Sequence, residues 1–307
     1  MANAPFVTDP VRTAIAIAYM NEAFVADQVL PRAPVAAEEF KWVSYNKEDR
    51  YTIPDTTVDR KGELNQVEFG GTEKTDMTND YGLKDVIPSK DVAAGQNAGI
   101  DVLGNATELL MDLILLDREQ RVSSTVMNPA AYTLKESLSA SDQWNTATGN
   151  PIVQISDALE VPLMRPNRML LSSAGALALR RNPFIVQAFN GNEGQNNLVP
   201  MAFIEQLFEV QVIVGRGRYN SAKPGQTMTL TRLWSDHCVL FYQNPSAMPN
   251  RGVTFGLTAQ WGQRVAATKM DDEVGLRGAT VIKTGESVKE IIIAEDVAYL
   301  LENVLAA

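Results

Sequence analysis

The feature that most restricts this chain is the run from Val102 to Met127, where Leu103, Ala106, Leu110, Leu113 and Ile114 recur on one helical face and Leu109 and Leu116 widen it. About 26 residues at ~1.5 Å each give a rod near 39 Å, longer than most small domains can bury end to end. Asn128-Pro129 stops it, and Asp117 stands four residues before Arg121, the favourable order for an exposed ion pair. Gly95 and Gly99 argue against extending this rod back to Pro88. The fold must therefore be organised around a spine. Asp112 interrupts the apolar stretch Leu109 to Leu116, which is also far shorter than the ~20 residues a membrane span needs.

The rest of the chain divides around that spine. Asp9-Pro10 is a helix start, with Val11, Ala14, Ile15, Ala18 and Tyr19 at helical spacing and Leu30-Pro31 as the exit. It makes an amphipathic arm whose cover is either the chain's own core or a neighbouring copy. Phe40 to Ile53 holds strand formers interleaved with charges, Thr56 to Leu64 is polar, and Gln66 to Phe69 is expected to run back antiparallel. A two-stranded hairpin this polar is marginal alone in water and calls for a partner surface. Downstream, helices are expected from Asn150-Pro151 to Glu160, from Ser172 or Ser173 to Asn182-Pro183, and over Met201 to Phe208. A strand follows at Val210, Val212 and Val214. Further strands are expected at Cys238–Tyr242, Val253–Trp261, Thr280–Lys283 and Lys289–Ala294, with Thr284-Gly285-Glu286-Ser287 as a hairpin turn between the last two. Helices and strands mix without regular βαβ spacing, so the class is α+β.

The chemistry-bearing residues are sparse. The formal charge of −10 from 27 basic and 37 acidic residues is opposite to the footprint of a phosphate-backbone binder. The richest basic stretches, Arg216 to Arg218 and Arg180-Arg181, are short and read as a solvated loop and a helix end. His237, the one histidine, adjoins Cys238, the one cysteine, but neighbours on a strand point to opposite faces and cannot form a dyad. No G-x-S-x-G elbow, no phosphate loop and no zinc spacing is present, and Asp271-Asp272-Glu273 reads as a solvated turn. Catalytic, cofactor-binding and metal residues are therefore none, and the protein is expected not to be an enzyme. With one cysteine, no basic leader at Met1 to Arg12 and no span, a reducing cytoplasmic setting is expected.

The ordered set of short motifs resembles one family. It runs from Ala26-Asp27-Gln28-Val29-Leu30-Pro31-Arg32 through Phe40-Lys41-Trp42, Tyr81-Gly82-Leu83 and Leu116-Asp117-Arg118-Glu119. It continues through Asp142-Gln143-Trp144, Arg165-Pro166-Asn167-Arg168, Leu233-Trp234, Phe255-Gly256 and Ala298-Tyr299-Leu300-Leu301. In this order the chain is similar to the major capsid proteins of tailed bacteriophages with the Hong-Kong-97-type fold, which encapsulin shells share. The resemblance implies an N-terminal arm (1–35), an extended E-loop hairpin (36–88), a peripheral domain on the spine (89–148 and 251–307) and an axial domain (149–250).

It further implies pentamers and hexamers in an icosahedral head shell enclosing double-stranded DNA without sequence-specific binding. A separate scaffolding protein, a portal and decoration proteins are the expected partners. The location would be the virion, after assembly in the host bacterial cytoplasm, with no membrane and no cofactor. Expected inter-subunit contacts are Arg60, Lys61 and Glu63 at the hairpin tip; expected capsomer-axis loop residues are Asn190, Asn192, Asn196, Asn197, Tyr219 and Lys223. The competing readings are an encapsulin-type compartment and a cytoplasmic ligand-binding protein or hydrolase.

Overall fold

The structure, a computed structural model, describes residues 9–45, 52–58, 60, 62–67, 71–191, 198–249 and 252–306. In chain order the helices are α1 (Pro10–Ala18), α2 (Ala26–Val29), α3 (Ser89–Asn97), α4 (Val102–Val126), α5 (Pro151–Glu160), α6 (Ser173–Arg181), α7 (Pro183–Asn190) and α8 (Met201–Phe208). The longer strands are β1 (Arg32–Val35), β2 (Glu39–Tyr45), β3 (Gly71–Met77), β4 (Asn79–Pro88), β5 (Lys135–Ser137), β6 (Arg168–Ser172) and β7 (Gln211–Gly215). They are followed by β8 (Arg218–Asn220), β9 (Leu230–Arg232), β10 (Cys238–Phe241), β11 (Gly256–Asp271), β12 (Ala279–Ile292) and β13 (Ala298–Glu302).

Helix starts follow local chemistry. Asp9, Asp101, Asn150, Ser172 and Asn182 each accept a backbone N–H of the first turn, offsetting donors a helix leaves unpaired. Asn182-Pro183 was expected only to end a helix; it also begins α7, because the Asn182 side chain accepts from Phe184 N and Pro183 supplies the first helical φ. The arm helix ends at Ala18 rather than running to Leu30, and the short α2 is a separate turn.

Two sheets hold the body. In the order β5-β13-β10-β6-β7, the first draws strands from both sides of 149–250. Its strands alternate between two apolar faces: Met169, Leu171, Cys238, Leu240 and Leu301 meet the helices α5 to α8, whereas Leu170, Val239, Phe241 and Leu300 meet α4. A sheet covered on both faces needs nearly continuous hydrophobic strands, and these have them. The second sheet, β1-β11-β12-β4, carries α1 and the N-terminal half of α4.

One expectation fails here. β12 is a single strand of 14 residues, and no turn interrupts Thr284 to Ser287. The chain reverses instead between Asp271 and Ala279, where Gly275 and Gly278 have φ of 65° and 71°. Gly285 sits mid-sheet opposite Gly82, and a Cβ on Gly285 would lie 2.8 Å from the Tyr81 carbonyl oxygen. The glycine there serves close backbone approach, not a reversal. The spine occupies Val102–Val126 as expected, but Leu109 and Leu113 are exposed. Ala106, Leu110 and Ile114 of the expected face are buried, and that face extends through Met111, Leu115, Arg118, Glu119 and Val122.

Candidate functional site

The hairpin has a packed root and, among the described residues, an exposed tip. β2 pairs with β3 from Glu39↔Met77 to Tyr45↔Gly71, so the return strand is Gly71–Met77 and not the expected Gln66 to Phe69. Gln66 and Val67 are outside any strand, and Glu68 and Phe69 lie outside the described residues. The pairing forms where the strand can be packed: Phe40 and Trp42, ring centroids 5.8 Å apart, join Ala33, Leu257, Ala259 and Ile291 in a small core. Lys41 and Glu73, 3.3 Å apart, and Lys289 and Asp76, 3.4 Å apart, add surface pairs at the root.

Beyond the root, the described residues 52–58, 60 and 62–67 are all exposed. Asp55 organises a turn by accepting from Thr57 N at 2.8 Å, and its own carbonyl accepts from Asn65 Nδ2 at 2.7 Å. Ile53 is 93% and Leu64 82% exposed. Arg60 and Glu63 are exposed on the same tip, while Lys61 lies outside the described residues.

The arm behaves differently. From Asp9 onward it lies on its own body: Asp9 N donates to Ala266 O at 3.1 Å, and Ala16 and Tyr19 pack with Met111, Ile114 and Ala266. Of the two covers left open for this arm, the described residues use the chain's own core. Arg264 fixes its end by donating to Ala16 O at 3.3 Å and Tyr19 O at 3.1 Å.

A buried ionic network continues this anchorage. Glu286 accepts from Arg32 at 2.8 and 3.3 Å and from Arg264 at 3.1 Å. Arg118 donates to Asp27 at 2.8 Å and to Leu30 O at 3.3 Å. Burial alone would push the Glu286 and Asp27 carboxyls up; Arg32, Arg264 and Arg118 hold Glu286 down, and Arg118 and Arg32 hold Asp27 down. Next to Arg118, Glu119 accepts from Val25 N, Ala26 N and Trp234 Nε1 at 3.0, 2.7 and 2.7 Å. Burial nevertheless raises its carboxyl above the usual range. The expected Asp117–Arg121 pair forms, and Arg121 also reaches Glu290 at 3.1 Å.

The described capsomer-axis candidates lie on separate elements. Asn190 ends α7; Asn192, Asn196 and Asn197 lie outside the described residues. Tyr219 belongs to the β8–β9 ribbon and packs partly buried against the core between sheet and spine, so it is a packing residue and not a free loop residue. Lys223 is exposed in the connection between those two strands. Sequence reasoning missed a second feature here. Arg181, Arg218 and Arg232, distant in the chain, line one open cleft between the end of α6 and the ribbon.

Cys238 is fully buried, which pushes its thiol far up, and His237 Nδ1 accepts from Asn303 N at 3.0 Å. The pair is a packed thiol beside a strand-end histidine. Asp271 Oδ1 accepts from Glu273 N at 3.1 Å within the turn. Among the described residues no group of three His, Cys, Asp or Glu could hold a metal ion, and no helix is long and apolar enough to cross a membrane.

No protein-family model matches the chain. It is 45% identical over 310 residues to the major capsid protein of Pseudomonas phage JBD67, covering 100% of both chains. It is 22% identical over 315 residues to that of Burkholderia phage BcepMu, covering 97% of each. A phage-related protein of Bordetella bronchiseptica RB50 has the same fold at a TM-score of 0.79 and 20% identity, with 99% of this chain and 100% of that one aligned. The capsid of Cyanophage P-SCSP1u shares it at a TM-score of 0.61 and 11% identity, with 93% and 89% aligned.

Proposed function

The chain belongs to the major capsid proteins of tailed bacteriophages, and from that footing we propose that its copies close through pentamers and hexamers into an icosahedral head around double-stranded DNA. The observation carrying this reading is the hairpin: rooted on its own body by Phe40 and Trp42, it ends in Ile53 and Leu64, which its own body leaves in water. Burying both side chains on a neighbouring copy contributes about 3–6 kcal/mol gross per tip. Contacts of this kind repeat round a ring when a heterologous interface closes. Obligate interfaces commonly bury about 2,000–5,000 Å², and a protruding hairpin extends the area one rigid body can offer.

The capsid role is structural, and the chain is read as performing no reaction. Arg60, Lys61 and Glu63 are proposed as charge pairs with the neighbour under the tip. Asn190, Asn192, Asn196, Asn197 and Lys223 are proposed to face the capsomer axis. Tyr219 is kept there only as the packed base of its ribbon. The four regions, arm, hairpin, spine-based and axial, are retained as a proposal, with the axial region centred on the five-stranded sheet. A negative charge of 10 supports an enclosing wall that contacts DNA weakly. Scaffolding, portal and decoration proteins, and assembly in the host cytoplasm, belong to the same proposal. The two curated relatives, both phage major capsid proteins, disfavour the compartment and the hydrolase readings.

Deleting residues 56–64 tests the central claim. The subunit is expected to keep its circular dichroism spectrum and melting profile while particles vanish from electron micrographs. Wild-type particle yield from this variant would remove the tip from the interface.

A further inference from the structure

Arg181, Arg218 and Arg232 converge on a cleft of about 760 Å³ whose walls include Leu177, Ala178 and Leu305. Among the described residues none of the three arginines takes part in an ion pair. Asp236 shares the rim and accepts from Ser172 Oγ at 3.1 Å, which leaves the rim net positive. A net-positive cleft with aliphatic side chains in its lining is conspicuous in a chain of net charge −10. Its makeup, arginine around aliphatic side chains, is that of a protein interface.

The same molecule carries the complement. The outer face of α5 presents Val153, Asp157, Glu160 and Val161, all exposed, at helical spacings that put two carboxylates beside two aliphatic side chains. Asp157 has no ion pair among the described residues, and Glu160 has only a 3.8 Å contact with the exposed Arg165. Helix α7 packs against both α5 and α6, so the acidic face and the cationic cleft belong to one helical layer. Two complementary patches at different places on one subunit cannot satisfy each other within that subunit. They can do so head to tail, and such contacts generate a ring when the rotation closes.

We infer that the acidic outer face of α5 docks into the Arg181–Arg218–Arg232 cleft of the next copy around each capsomer. The inference rests on the shell reading above and names the surfaces that execute it. Phosphate of enclosed DNA is the other occupant arginines could take, but Leu177, Ala178 and Leu305 in the lining suit the aliphatic side chains that flank the α5 carboxylates and not a phosphate chain. Opposed charges in this arrangement fix partner and register, and like charges across it are strongly disfavoured.

The test is a charge swap in the full-length chain, read by particle yield in sedimentation and electron microscopy, with each unassembled variant melted to verify folding. Arg218→Glu with Arg232→Glu is expected to lower yield about tenfold at low salt, as is Asp157→Lys with Glu160→Lys, and the four changes together restore most of it. The milder pair Arg218→Gln and Arg232→Gln serves if the reversal fails to fold, with a smaller loss expected. Wild-type yield from the arginine variants, or a four-fold variant no better than its parents, overturns the inference. Particles of normal yield that lack DNA assign the arginines to phosphate and overturn it as well. Failure of the shell reading is distinguishable, because then the unaltered protein gives no particles under any of these conditions.

Discussion

Replacing Glu286 by alanine is the sharpest test of the fold as described. In the expected hairpin turn at Thr284 to Ser287 this carboxylate would stand in water, and its removal would lie within the ±0.5 kcal/mol usual for surface positions. In the structure the side chain is 0% exposed and neutralises two guanidiniums, Arg32 and Arg264, through contacts at 2.8 to 3.3 Å. Alanine leaves the buried Arg264 with no carboxylate and the half-buried Arg32 with Asp27 alone, a loss of about 3–5 kcal/mol. At about 2 °C per kcal/mol for a chain of this size, the unassembled subunit should melt about 6–10 °C lower. Arg264 also carries the carbonyls of Ala16 and Tyr19, so amide exchange should accelerate first in α1, including the Asp9 N–H that bonds Ala266 O. Glu286→Gln keeps the volume and one acceptor oxygen and should fall between. A melting temperature within a degree of wild type for the alanine variant, with α1 protection unchanged, would refute the single-strand description of β12 and the network built on it.

Two further outcomes follow from the same packing. A Cβ on Gly215 would lie 2.2 Å from Trp234 Cδ1, and the indole is held by Glu119, so Gly215→Ala should cost about 1–3 kcal/mol in a denaturant titration of the subunit; a neutral result would mean the tryptophan can step aside. The second concerns acid. Because Glu286 and Asp27 are held below their ordinary values, their contribution is fully present above the unfolded carboxylate range near pH ~4 and is lost as pH falls through the lower folded values. Glu119, raised by burial, acts in the opposite sense. Melting temperature plotted from pH 7 to 3 should therefore fall on the acid side, less steeply in Glu286→Gln; parallel curves would contradict the assignment.

Local chemistry was legible where it was self-contained. Asp9-Pro10, Asn150-Pro151 and Ser172 start helices because the capping atoms lie within three residues of the amides they satisfy. The spine was legible from its length and, through Ala106, Leu110 and Ile114, part of its buried face was too; the burial of Arg118 and Glu119 was not. Leu109 and Leu113 look like core, and only Asp27, Val25 and Trp234, brought from far along the chain, make burial of Arg118 and Glu119 tolerable. Gly285 looks like a turn until Gly82 is set opposite it. The hairpin's existence followed from its polar alternation; its register did not, since Phe40 and Trp42 are fixed by Ala33 and Leu257 from elsewhere in the chain as well as by each other. Arg218 and Arg181 read as part of a solvated loop and a helix end, and Arg232 gave no signal, because no sequence window holds all three.

The order β5-β13-β10-β6-β7 has a consequence in time. Residues 298–302 form an inner strand, pairing β10 on one side and β5 on the other, so both neighbours wait for them. A ribosome delivering about 5–20 residues per second exposes the spine well before that strand exists. Until it arrives, the sheet against which α4 and the α5–α8 layer pack has a gap in its middle, and the long-range pairings that close it are intrinsically slow to form. A chain that has not yet supplied residues 298–302 therefore lacks the inner strand that β5 and β10 both pair with, and the two-sided core around that sheet stays open.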